Sequence, residues 1–305
     1  MRKTSVTDQA NGNPSSAAGL PALVLVSTPI GNLKDISARA LEALAGADAI
    51  LCEDTRTAQT LLKHHGIVTR CLALHEHNED ARTPALIQAM QEGAHYALIT
   101  DAGTPLVSDP GFRLTRAAIA AGITISAIPG PNAALLALTL SGLPPQPFLF
   151  MGFLPPKAGP RRAALRRLAD AEAAGLAATL IFYEAPHRLA ATLADTAAIL
   201  GPRPAAICRE LTKYFEEVRR DRLDILAAHY AVTPPRGEIT LIIGPAEKAP
   251  AGAATLEAAL AAALAQMPLK DAVAIVTAAT DLPRRQVYAK ALEMAKPDRP
   301  ADESG

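Results

Sequence analysis

From Ala22 to Gly244 the chain alternates short apolar runs with amphipathic stretches, and this rhythm restricts the fold more than any other feature. "ALVLVSTPIGNL" (22–33) opens as an apolar run that Pro29 and Gly31 stop, so it predicts a buried strand and a turn. In the stretch that follows, Ile36, Ala40, Leu41 and Leu44 recur at helical spacing and Gly46 ends the helix. "AILCED" (49–54) predicts a strand and "TAQTLLKHHGI" (57–67) a helix. "TPALIQAMQEG" (83–93) predicts another helix, with Thr83 as N-cap and Pro84 in its first turn. "YALIT" (96–100), "GFRLTRAAIAAG" (111–122) and "ITISAIPG" (123–130) continue as strand, helix, strand. Such alternation implies an open α/β sheet.

The proline-rich segment 141–160 interrupts the rhythm, and a domain boundary is expected near 142. The alternation then resumes through "ATLIFYE" (178–184), "AAICREL" (205–211) and "GEITLIIG" (237–244), with helices between. The expected organisation is a disordered tail over 1–21, α/β domains over 22–142 and 143–247, and a helical module over 255–296 behind a Pro/Ala/Gly linker. Three short helices are expected in that module. A polar turn before "LPRRQVYAKALEM" gives them a helix-turn-helix character. Arg284 and Arg285 stand where a helix N-terminus meets phosphates; a plain helical cap is the alternative.

Composition narrows the function. Thirty basic and thirty acidic residues leave no global charge for nucleic-acid binding, and the lack of Trp argues against an aromatic base-stacking platform. Cys52, Cys71 and Cys208 are far apart without a CxxC, as in a reduced cytoplasmic protein. No apolar run is long enough to span a membrane, and the first twenty residues lack the apolar core of a signal peptide.

Three Gly/Pro-rich loops, "STPIGN" (27–32), "TDAGTPLVSDPG" (100–111) and "IPGPNAA" (128–134), each follow a strand. Open α/β sheets bind ligands beyond the carboxyl ends of their strands, and glycine lets backbone N–H groups approach a ligand. None of the loops has the spacing of a dinucleotide fingerprint or a P-loop.

These loops, with "EDTR", "HEHNE", "FYEAPHR", "RELTK" and "GEITL" in the same order, resemble the tetrapyrrole-methylase superfamily of S-adenosylmethionine-dependent methyltransferases over about residues 22–294. Gly103-Thr104-Pro105 replaces the Gly-Asp-Pro of porphyrinoid-modifying members. Within the superfamily the chain is most similar to the branch that methylates the ribose 2′-oxygen of a cytidine in the decoding region of small-subunit (16S) ribosomal RNA. The resemblance implies two α/β domains with a S-adenosyl-L-methionine cleft between them, a homodimer, and the small ribosomal subunit as partner. It assigns Pro29, Ala102, Gly103, Thr104, Val107, Asn132, Ala133, Glu184 and Leu211 to the cofactor, with Pro29 and Gly31 as the floor under the acceptor.

A ribose hydroxyl is a poor nucleophile, so a base or a charge that favours its alkoxide is required. Glu184, Glu210 and Lys213 are the catalytic candidates. Glu53, Asp54 and Arg56 read either as a helix-capping turn or, by the resemblance, as acceptor-side residues, and Asp101 as a tie for its own loop. His75 and His77 form a weak i,i+2 metal pair, so no metal is expected; the resemblance makes them substrate-side. Arg188 and the basic stretch Lys157, Arg161, Arg162, Arg166 and Arg167 are candidate RNA contacts, as are Arg219, Arg220 and Arg222. A solvated charged face is the alternative. Two competing functions remain: a methyltransferase acting on a porphyrinoid or protein side chain, and a non-catalytic RNA-binding factor.

Overall fold

The computed structural model describes residues 21–246, 253–280 and 282–295. The expected tail, apart from Pro21, and residues 247–252 of the expected linker lie outside them. The chain divides into two compact units, the first ending at Ala246.

The first unit holds two five-stranded sheets. Strands β1 (Leu23–Val26), β2 (Ala49–Cys52), β3 (Cys71–Ala73), β4 (Tyr96–Leu98) and β5 (Ile125–Ile128) form a parallel sheet in the order β3-β2-β4-β1-β5. Helices α1 (Ala38–Gly46) and α2 (Thr55–His64) follow β1 and β2. Helix α3 (Glu79–Gln91) follows β3, and α4 (Phe112–Ala120) follows β4. A parallel sheet is covered on both faces, so its central strands β1, β2 and β4 are apolar throughout; all four residues of β2 are buried. Leu51 and Leu98 pack beneath α3 and α4 with Leu86 and Leu114, while Ile50 and Ala97 face Leu44 and Leu62 from α1 and α2. Helix α3 starts four residues before the expected Thr83 cap, placing Pro84 inside the helix. The Glu79 side chain fixes this start: it is buried and accepts from the N–H of Leu114, tying α3 to α4.

The second sheet is mixed, in the order β6-β7-β10-β8-β9. It comprises β6 (Phe148–Phe153), β7 (Thr179–Glu184), β8 (Pro204–Arg209), β9 (Glu217–Arg222) and β10 (Ile239–Ile243). Helices α6 (Ala158–Ala173), α7 (Leu189–Leu200) and α8 (Leu223–Val232) cover one face through Leu165, Leu193 and Leu226 over Leu180, Phe182, Ile207 and Leu241. Alternate residues Ile181, Ala206, Cys208 and Ile242 point to the other face, where α5 (Ala133–Ser141) lies with Ala134, Ala137 and Leu138. Helix α5 belongs by packing to the second sheet, so the domains part at the turn before Ala133 and not at the expected boundary near 142.

Sequence reading missed β3, β6 and β9, which are the edge strand β3 of one sheet and both edges of the other. An edge strand is not required to be apolar. In β9, Arg219, Arg220, Asp221 and Arg222 are exposed, a charged edge that resists pairing with another chain.

The second unit has its own core. Helices α9 (Ala253–Leu264), α10 (Leu269–Thr280) and α11 (Arg284–Met294) close around Leu256, Leu260, Val273, Val276, Val287 and Ala291. Lys290 of α11 pairs with Glu257 of α9 at 2.5 Å. Among the described residues no helix is long and apolar enough to cross a membrane.

Candidate active site

The three glycine-rich loops leave neighbouring strands at one edge of the parallel sheet and are laced together. Thr28 and Gly103 exchange backbone hydrogen bonds of 2.9 and 3.1 Å, joining the loop after β1 to the loop after β4. The Thr28 hydroxyl donates to the carbonyl of Thr100 at 3.1 Å. Thr104 Oγ1 donates to the carbonyl of Pro131, and Asn132 Nδ2 donates to Thr104 Oγ1, which joins the loop after β5. Gly103 has φ +89°, a conformation that side chains rarely adopt. Gly130 carries no side chain because a Cβ there would lie 2.8 Å from that of Ser27.

Between these loops and the ends of β7, β8 and β10 lies a cavity of about 390 Å³, within the usual range for small-molecule sites. Of the residues assigned to the cofactor, Ala102, Gly103, Thr104, Val107, Ala133, Glu184 and Leu211 line it. Pro29 and Asn132 do not. Pro29 is buried and Ile30 lines the cavity in its place, while Asn132 caps α5 by accepting from the N–H of Leu135. Gly31 is not a cavity floor either. It lies against the turn after β8, where a Cβ would be 2.5 Å from Lys213 Cγ and 2.8 Å from Thr212 Oγ1. The neighbouring N–H of Asn32 donates to Thr212 Oγ1 at 3.1 Å, so this contact clasps the two domains.

The structure changes the reading of the three catalytic candidates. Glu184 is 3% exposed and both its oxygens are engaged. Oε1 accepts from the N–H of Ala185 at 2.8 Å and lies 3.1 Å from Arg188 Nε; Oε2 accepts from Thr192 Oγ1 at 2.5 Å. It anchors the turn into α7 rather than waiting for a proton. Glu210 Oε1 accepts from Lys213 Nζ and from the N–H of Glu238, both at 2.9 Å. The Lys213 bond is the main reason its carboxyl lies below the ordinary range. Burial alone would lower the Lys213 pKa, but Glu210 and Glu238 outweigh it and raise it. Each therefore holds the other's charge at the cavity mouth, beside Leu211 and Glu238 of the wall.

The substrate-side candidates divide. Asp54 caps α2, accepting from the N–H of Arg56 at 2.8 Å and pairing with its guanidinium at 2.6 Å. That side-chain bond is the first cause of an Asp54 pKa lowered to about 2, so the capping reading is the one the geometry favours. Asp101 accepts from the N–H of Asp54 at 3.3 Å, tying the neighbouring loop rather than its own. His75 is held by Asn78, which lies 3.0 Å from its Nε2, while His77 is exposed. Both stand at the same sheet edge as Glu53, whose pKa is raised by burial and by Asp101. Among the described residues no three His, Cys, Asp or Glu side chains gather as metal ligands.

Two arginines are corrected. Arg161 is 5% exposed and bound in the interior: its Nε donates to Asp195 Oδ2 at 2.8 Å and its Nη1 to the carbonyl of Pro156 at 3.1 Å. Helical periodicity turns it inward while Arg162, Arg166 and Arg167 stay exposed. Arg188 joins Glu184 to the carbonyl of Leu154 and so braces the cavity wall. Sequence reasoning passed over Ile30, Asp109, Phe153, Tyr183 and Glu238, all of which line the cavity. Asp109 was legible within "SDPG", but nothing in that motif separates a turn residue from a cavity residue.

A family model described as Tetrapyrrole (Corrin/Porphyrin) Methylases matches residues 22–227, and one described as RsmI C-terminal HTH domain matches residues 250–295. The chain is 50% identical over 276 residues to ribosomal RNA small subunit methyltransferase I of Mesorhizobium japonicum, covering 90% of this chain and 92% of that protein. It is 43% identical to the protein of that name from Escherichia coli O157:H7, covering 89% and 94%. The crystal structure of diphthine synthase superposes with a TM-score of 0.55 at 16% identity, covering 73% of this chain and 89% of that one. That of the methyltransferase CobJ gives 0.55 at 18%, covering 74% and 95%; both likenesses concern the fold alone. The chain thus belongs to the tetrapyrrole methylase family and, within it, to the group of ribosomal RNA small subunit methyltransferase I proteins.

Proposed function

We propose that this protein uses S-adenosylmethionine to methylate the 2′-oxygen of a cytidine ribose in the decoding region of 16S ribosomal RNA. It would act as a homodimer on the small subunit, which places the reaction in the cytoplasm. The observation that carries the proposal is that likeness to the relatives of that name extends over both units of the chain, the cavity-bearing unit and the helical one.

The cavity suits the cofactor chemically. Ile30, Ala102, Val107, Ala133 and Leu211 offer apolar walls for an adenosine, and Asp101 offers negative charge to the cofactor's cationic groups. When bound, the cofactor supplies an electrophilic methyl group. The protein's work is then alignment and proton removal. The lacing of Thr28, Gly103, Thr104 and Asn132 fixes the backbone before any ligand arrives. The Asn32–Thr212 clasp holds the second domain's wall against the first. Exposed Arg162, Arg166 and Arg167 offer guanidinium groups to phosphates.

Methylation of a porphyrinoid gives no role to the helix-turn-helix unit, and a pure RNA-binding factor gives none to the cavity. The test is calorimetry with S-adenosylmethionine, then transfer of its labelled methyl group to small subunits from a strain lacking the gene. Cofactor heat and label in 16S RNA are expected. Cofactor binding without label in RNA would overturn the substrate, and no cofactor heat would overturn the enzyme reading.

A further inference from the structure

Among the described residues, every ionisable side chain that lines the cavity except Asp109 has a hydrogen-bond or ionic partner or is held in the wrong protonation state. Glu184 is bound on both oxygens by Ala185, Arg188 and Thr192. Glu238 faces the Lys213 ammonium at 3.1 Å, and Asp101 accepts from the N–H of Asp54. Burial raises the Cys208 thiol to about 11 and also raises the Tyr183 hydroxyl. Asp109 lines the same cavity, yet among the described residues it has no hydrogen-bond donor and no cationic partner. An unpaired carboxylate half-buried in a cleft needs a purpose, because leaving it so costs stability.

Its setting is well defined. The 105–109 loop is pressed by β6 of the second domain, where a Cβ on Gly152 would lie 3.2 Å from Ser108 Oγ. The charged groups around Asp109 are Glu53 from the end of β2 and Asp101 from the start of its own loop, while Tyr183 faces it from the end of β7. Two carboxylates nearby and no cation make a poor anchor for phosphate. They leave a site suited to a neutral hydroxyl that must lose its proton.

The geometry points to Asp109 as the general base that accepts the proton of the acceptor hydroxyl. This inference rests on the proposed reaction. In balanced form, the Asp109 carboxylate takes the hydroxyl proton while the oxygen forms its bond to the methyl carbon. The carbon–sulfur bond breaks with its electron pair going to sulfur, so the sulfonium charge is discharged and Asp109 leaves the step protonated. Burial, helped by Glu53 and Asp101, raises the Asp109 pKa to about 7, near the operating pH where a base is most effective.

The test uses the full chain with Asp109→Asn and Asp109→Glu, small subunits lacking the methyl group, and three readouts. First, kcat should fall about 10²- to 10⁴-fold in D109N, the usual contribution of a general base, and recover in part in D109E. Second, the wild-type rate should rise with pH to a plateau above the Asp109 pKa, whereas that limb disappears in D109N. Third, calorimetric affinity for S-adenosylmethionine should match wild type, and a ¹³C-labelled aspartate resonance that titrates near neutrality should vanish in D109N. Loss of cofactor affinity in proportion to rate would overturn the proposal, because Asp109 would then be a cofactor contact. An active wild type with an unchanged D109N pH profile would overturn the base while leaving the function standing. A wild type that binds cofactor and methylates no subunit would overturn both.

Discussion

Replacing Asp195 by Ala should be among the most damaging changes in the chain, although Asp195 itself belongs to none of the motifs assigned to the site. Its carboxylate lies 2.6 Å from Arg161 Nη2 and 2.6 Å from Arg162 Nε. Arg161 and Asp195 side chains are 6% and 7% exposed, whereas Arg162 is 54% exposed. Without Asp195, the Arg161 guanidinium stays buried with the Pro156 carbonyl as its remaining partner. Breaking a buried pair from one side costs about 3–5 kcal/mol. For a unit of this size that is a fall in Tm of roughly 6–20 °C. Arg161→Ala leaves Asp195 paired with Arg162, so its cost should be smaller, about 1.5–3 kcal/mol for bonds to a charged group. Arg162→Ala should cost less than about 1 kcal/mol because the residue is exposed. Scanning calorimetry of the three variants gives the order. The pH dependence adds a check. Burial works to raise the Asp195 pKa, but the arginines outweigh it and the folded value is lowered. The pair's contribution is therefore present above the unfolded carboxylate value, near 4, and lost as pH falls through the lower folded value. An Arg161→Ala protein as stable as wild type, but with a weaker salt dependence of RNA binding, would refute this and restore Arg161 to the surface.

Further outcomes follow from individual contacts. Gly31→Val should force Lys213 and Thr212 away, open the clasp and weaken cofactor affinity in calorimetry, since the contacts begin at 2.5 Å. Gly103→Val should abolish cofactor binding and also lower Tm slightly, because φ +89° is strained for any side chain. Asp109→Asn should raise Tm relative to wild type at pH 8 but not at pH 4. The folded group holds its proton up to about 7 while the unfolded one releases it near 4, so stability is lost as pH rises between them. Arg162→Ala with Arg166→Ala and Arg167→Ala should flatten the salt dependence of subunit binding and leave cofactor affinity unchanged. Ending the chain at Ala246 should leave the two-sheet unit folded, because each unit has its own core, and should reduce methylation mainly at low subunit concentration.

The central strands and the loops that follow them were legible because a buried parallel strand must be apolar and the turn after it must break. "AILC" and "YAL" carry that signal in full. "EVRRDR" and "CLA" do not, since an edge strand is stabilised by one neighbour and tolerates charge. Helix α5 was missed: its run "AALLALTLS" is apolar on nearly every face, so it shows no helical alternation, and nothing in it states which sheet it covers. In the site, glycines marked the loops correctly. The roles of Arg161 and Arg188 stayed hidden because each depends on a partner 34 residues away, and that of Glu184 because Arg188 and Thr192 reach it only through the turn that follows β7.

The most direct test is ribose-methylation mapping of 16S RNA after incubation of purified protein, S-adenosylmethionine and small subunits from a strain without the gene. The account predicts one new methyl group, on the 2′-oxygen of a cytidine in the decoding region. Methyl transfer to a base, or to a protein of the subunit, would contradict it.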